Sequence, residues 1–98
     1  MVQIVWLKDA RTDLKEIYEY IAIDSKRYAR LQVERIKDST KILYTKPQIG
    51  KLVQEINQPE IREIIEGNYR IIYKHTSSDK IHILMVHHGA RDLQRRIK

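Results

Sequence analysis

The side chains best equipped for chemistry crowd into the second half of the chain: Arg62, Glu63 and Arg70, then His87, His88 and Arg91, then Arg95 and Arg96. A guanidinium offers a planar fork that fits a phosphate or a carboxylate, and imidazole exchanges protons near neutral pH. Gathered on one surface, Arg70, His88 and Arg91 would bind an anion, because two neighbouring arginines need something negative between them. Such a set could also serve phosphodiester cleavage, which asks for a base, an acid and a charge stabiliser. Arg62, Glu63 and His87 are the available substitutes in those roles. Each residue has a plainer account too. Arg70 can form a cross-strand ion pair with Glu63, and histidines at a strand end can be ordinary hydrogen-bonding groups.

Other chemistries have no support in the sequence. There is no glycine-rich phosphate loop, serine nucleophile motif or paired-histidine metal spacing, so neither cofactor nor metal is expected. The absence of cysteine removes disulfides and thiolate metal sites, and fits a reducing cytoplasm. The opening MVQIVWLKDAR lacks a basic segment followed by a long apolar one, and no apolar run is long enough for a bilayer. Neither export nor membrane insertion is expected.

The elements that must position these residues can be read from periodicity. Val2, Ile4 and Trp6 alternate with Gln3 and Val5, which predicts a short opening strand. Asp9 is placed to cap a helix in which Ala10, Leu14, Ile17, Tyr18 and Ile21 recur at helical steps. Asp24 and Ser25 break that helix and cap a second, marked by Ala29, Val33, Ile36, Thr40 and Leu43. The short link predicts an antiparallel helical hairpin. After Pro47 and Gly50 the pattern becomes that of a sheet. Leu52 to Ile56 is a short apolar-polar run, Asn57 to Pro59 a turn, and Ile61 to Glu66 and Tyr69 to His75 two strands of a hairpin turning at Gly67-Asn68. Thr76 to Asp79 turns into a last, nearly continuous apolar strand, Ile81 to His88.

The hairpin fixes a register. Pairing Glu66 with Tyr69 sets Ile65 opposite Arg70 and Glu63 opposite Ile72, all four on one face, with Arg70 and Glu63 as diagonal neighbours. Pairing His75 with Ile81 then places Arg70 opposite Val86, so that His88 shares its face and His87 lies beside Tyr69. Gly89 would let the chain turn and bring Arg91 back toward Arg70. The expected architecture is one α+β domain over 1–98: an N-terminal strand, a helical hairpin, then three or four antiparallel strands with helices on one face and the other face bare. Trp6, Tyr18, Tyr69 and Tyr73 fall on apolar faces and are assigned to the core or to a partner's groove.

This order of elements, with "IRE" at 61–63, "GNYRIIY" at 67–73 and "HHGAR" at 87–91, resembles the ParE/RelE toxin superfamily over nearly the whole chain. The resemblance implies a type II toxin–antitoxin (plasmid stabilisation) system, with a cognate antitoxin that wraps the toxin and touches DNA on its behalf. It also implies one of two targets, since one scaffold carries both activities. ParE-like members are associated with inhibition of DNA gyrase; RelE-like members cut messenger RNA in the ribosome. RelE-like nucleases commonly carry basic residues on the strand before the hairpin turn and a tyrosine in the tail. Here Ile61 and Glu63 stand nearest the first, and Leu93 to Lys98 holds no tyrosine. The ParE-like reading gains accordingly, with the endoribonuclease as the alternative.

A net charge of +6 in 98 residues favours nucleic acid, a ribosome or an acidic protein as partner, although surface lysines and arginines also serve simple solvation. From His87 onward Arg91, Arg95, Arg96 and Lys98 oppose Asp92 alone. On this reading Arg70, His87, His88, Arg91, Arg95 and Arg96 form the target-binding surface.

Overall fold

The computed structural model of the chain describes residues 2–97; Lys98, counted above with the basic tail, lies outside them. The elements are β1 (Gln3–Trp6), α1 (Lys8–Ala22), α2 (Lys26–Ser39), a 3-10 segment (Thr40–Tyr44), β2 (Lys51–Leu52), β3 (Ile61–Glu66), β4 (Tyr69–Ser77), β5 (Lys80–His88) and α3 (Leu93–Arg96). The strands form one five-stranded sheet in the order β1-β5-β4-β3-β2. The opening strand joins β5 in parallel, and the remaining pairs are antiparallel. No helix among the described residues is long and apolar enough to cross a membrane.

The helical hairpin forms as its periodicity requires. Ser25 caps α2 by accepting the Tyr28 N–H, and Ala29, Ile36 and Leu43 are fully buried. Asp9 does not cap α1. The helix begins two residues earlier, at Lys8, with Leu7 at the cap and no side-chain bond to it. Asp9 stands instead in the first turn, where a negative charge still complements the helix dipole. In the β3–β4 turn only Gly67 takes positive φ, at 58°, the pattern of a type II′ turn.

The face opposite the helices is not bare. One core lies under α1 and α2 and contains Leu14, Ile36, Ile71, Tyr73, Ile81 and Ile83. A second, on the far face, joins Ile61 and Ile72 to Val53, from the loop after β2, and Leu93, from α3. The Leu52 to Ile56 run, read as part of the sheet but paired in a strand only as far as Leu52, and the tail each insert one fully buried side chain, so the sheet is covered in part on both sides.

Gly50 ties β2 to this framework. Its N–H donates to the Tyr73 hydroxyl at 3.0 Å, and its carbonyl accepts from Arg62 at 3.0 Å. A β-carbon there would lie 2.7 Å from both the Tyr73 hydroxyl and the Glu63 carbonyl oxygen. Gly50→Ala is therefore expected to cost about 1–3 kcal/mol through overpacking. Urea unfolding would read the loss as a lower midpoint; an unchanged midpoint would show that the segment yields without strain.

Candidate functional site

The β3–β4 register is as the sequence predicts: Glu66 pairs with Tyr69, Ile65 with Arg70 and Glu63 with Ile72. Arg70 and Glu63 are bonded diagonal neighbours, with the Nε–H donating to Glu63 Oε1 at 2.6 Å and Nη2 to Oε2 at 3.1 Å. A second carboxylate completes the arrangement. Glu55 accepts from Nη1 and Nη2 at 2.8 Å each. Four hydrogen bonds occupy four of the five N–H groups of the guanidinium, and both forks are filled. Arg70 holds Glu55 far below the usual carboxylate range, down to about 2, with hydrogen bonding the main cause and burial opposing it. The two carboxylates in turn raise the Arg70 pKa, so it stays charged at any relevant pH.

The β4–β5 register departs from expectation. His75 does pair with Ile81, but an irregularity at Leu84 shifts the ladder by one residue, so that Ile72 meets Met85 and Arg70 meets His87. The face assignments of the two histidines are thereby exchanged. His87 shares the Arg70 side and is 5% exposed, with its Nε2 donating to the Arg91 carbonyl at 3.1 Å. That bond commits His87 to holding the chain where it leaves the sheet. His88 stands beside Tyr69, ring to ring at 5.3 Å and nearly perpendicular, and its Nδ1 accepts the Ala90 N–H. Burial raises the Tyr69 pKa.

A groove of about 490 Å³ opens beside Arg70. Lys51, Leu52, Glu55, Glu63, Ile65, Tyr69 and His88 line it, with the backbone at Gly67, Asn68, Gly89 and Ala90. Arg70 and His88 thus meet at one opening despite facing opposite sides of the sheet, because the groove wraps its end. Arg91 does not line it: the side chain is exposed and its charge acts on Tyr69. Arg62 projects from the helix-covered face beside Tyr73 and is spent on the Gly50 carbonyl. Arg96 is paired with Asp13 of α1, and Arg95 remains exposed on α3. The groove's charges, Lys51 and Arg70 against Glu55 and Glu63, cancel.

Asp13 was not singled out in the sequence. Beyond the end of β1 the outer edge of β5 has no neighbouring strand, and here Asp13 accepts the Val86 N–H at 2.8 Å while Arg96 donates to the Val86 carbonyl at 3.4 Å. The ion pair takes the hydrogen-bonding place of a strand and blunts an open edge. A second groove of similar size lies among Trp6, Leu14, Tyr18 and Val33, with Arg11, Lys15 and Lys37 on its rim. Glu55, Asp13 and this basic rim carry no local signal, since their partners are remote in sequence.

The site elements are thus two open grooves, one polar at the end of the sheet and one largely apolar beside the helical hairpin, on a small α+β fold. Residues 4–93 match the family described as ParE toxin of type II toxin-antitoxin system, parDE, and the chain belongs to that family. It is similar to Toxin RelE2 of Caulobacter vibrioides, with 29% identity over 91 residues covering 93% of this chain and 99% of the relative. It shares its fold with a structure titled "Chromosomal ParDE TA system from P. aeruginosa", at TM-score 0.71 and 22% identity, covering 90% of this chain and 96% of the other. The protein is thus a toxin of a type II toxin–antitoxin system, and the family implies a cognate antitoxin.

The Glu55–Arg70 bond should make itself felt in the pH dependence of folding. A carboxyl whose folded pKa is lowered from 4.5 to about 2 adds stability above the unfolded value and loses it as pH falls toward the folded one. Comparing thermal midpoints of wild type and Glu55→Gln, the wild-type advantage is expected to be constant above about pH 5.5 and to vanish on approach to pH 2. An advantage independent of pH would mean that the ion pair is not its source.

Proposed function

We propose that the protein is a ParE-like toxin that inhibits DNA gyrase by protein–protein contact in the cytoplasm and is held inactive by its antitoxin, in a plasmid-stabilising or related operon. The supporting observation is the state of Arg70. In a nuclease this cation would have to meet a phosphodiester, whereas here both forks are filled by carboxylates and the surrounding groove carries no net charge. A site without net positive charge suits a protein surface better than a phosphate backbone. The set Arg70, His88 and Arg91 is not gathered as phosphodiester cleavage needs: Arg91 does not line the groove, and His87, the available substitute, is bonded to a main-chain carbonyl. No covalent chemistry is then asked of the chain.

The second reading is a ribosome-dependent messenger RNA endoribonuclease. It is favoured by one observation, that His88 and Arg70 line the same groove. Purified toxin is expected to block gyrase supercoiling in proportion to its concentration and to leave translated message intact by primer extension. Cleavage in the ribosomal A site that Arg70→Ala abolishes would replace gyrase with the ribosome.

The antitoxin's place is best supplied by the second groove. Its apolar floor of Trp6, Leu14, Tyr18 and Val33 and its rim of Arg11, Lys15 and Lys37 complement an amphipathic segment with acidic side chains along its edge. Lys15→Glu combined with Lys37→Glu is expected to weaken antitoxin binding by about tenfold or more at low salt, with a smaller difference at high salt. Isothermal titration calorimetry at two ionic strengths would measure it; equal affinity of the double variant would move the antitoxin elsewhere.

A further inference from the structure

Arg70 has two carboxylate partners where one would neutralise it, and the two are held differently. Glu63 lies on β3, is 4% exposed and follows from strand register. Glu55 lies on the irregular segment between β2 and β3, with its side chain 26% exposed at the groove wall. That segment is anchored by Val53, whose carbonyl accepts the N–H groups of both Ile56 and Asn57. Asn57 adopts a left-handed φ of 55°, which turns the chain back toward β3. The turn delivers Glu55 onto the outward fork of Arg70, the one facing the opening. With Glu63 alone the pair would be neutral and that fork would be free for an incoming anion. With both carboxylates the triad carries one net negative charge, in a chain whose overall charge is +6.

We propose that Glu55 is a specificity-determining residue: it occupies the outward fork of Arg70 and denies it to phosphate, so that the groove rejects nucleic acid and accepts protein. It serves the toxin in this way only if the target is a protein, the reading proposed above. Physically, one carboxylate acts twice. It takes the two N–H groups a phosphate would use, and it repels any anion that approaches them. Removing it leaves the Arg70–Glu63 pair intact and places Lys51, on the same groove, beside a free guanidinium fork. Loss of that one side chain takes the triad from one net negative charge to neutral, and the groove from neutral to one net positive charge.

The test follows the Arg70 Nε–H resonance by NMR while inorganic phosphate is titrated into wild type, Glu55→Ala and, as a control for net charge, Asp24→Ala in the exposed helical turn. In parallel, the anisotropy of a short labelled single-stranded RNA is measured at low salt. The Arg70 signal is expected to stay still in wild type and in Asp24→Ala, and to shift saturably in Glu55→Ala. RNA affinity should rise about tenfold for Glu55→Ala relative to the control. A phosphate-dependent shift in wild type, no shift in Glu55→Ala, or equal RNA affinities of Glu55→Ala and Asp24→Ala would each overturn the proposal. Gyrase supercoiling by the wild-type toxin is scored separately. Its failure removes the protein target and leaves the phosphate result standing, whereas failure of the phosphate result leaves inhibition of gyrase untouched.

Discussion

Everything in this molecule is arranged around β4, a strand buried on both faces. Ile71, Ile72 and Tyr73 are consecutive and fully inaccessible, so the sheet needs cover on two sides at once. The helical hairpin covers one side. A chain of this length has no second hairpin for the other, and uses what remains: a loop residue, Val53, and a residue of the last turn, Leu93. Covering the far face in this piecemeal way fixes the loop that holds Glu55 and the tail that holds Arg96. Packing therefore sets the electrostatics, not the reverse.

The irregularity at Leu84 belongs to the same economy. It lets Leu84 and Met85, neighbours in sequence, both pack on the far core, while Ile83 and Val86 face the helices. Two successive side chains on one face require an extra residue in one strand. The consequence for function is that His87 joins Arg70's side of the sheet and His88 joins Tyr69's. A packing need thereby divides the histidine pair into one ring that braces the exit of β5 and another that borders the groove.

Charge is handled by pairing rather than display. Arg70, Arg62 and Arg96 are bonded to carboxylates or main-chain carbonyls, as is Arg11 to the Trp6 carbonyl, while Lys15 and Lys37 stand on the rim of the helical groove and Arg95 is exposed on the tail. On the reading proposed above, an acidic antitoxin segment and a protein target would each gain from this division, the basic rim drawing the first and the neutral groove at the sheet's end turning away competing polyanions.

The sequence alone determined whatever depends on local periodicity. The two helices, the cap at Ser25, the hairpin at Gly67 and the diagonal contact of Glu63 with Arg70 all follow from spacings of two, three or four residues, and family membership follows from their order. It misplaced what depends on a count of residues across a long strand pair, since one unseen bulge exchanged the faces of His87 and His88. Glu55 and Asp13 were beyond its reach. Their partners lie 15 and 83 residues away, and neither the irregular segment around Glu55 nor the helical period around Asp13 identifies a partner so remote. Only the folded sheet, by demanding cover on both faces, brought Glu55 to Arg70 and so decided what that arginine is free to bind.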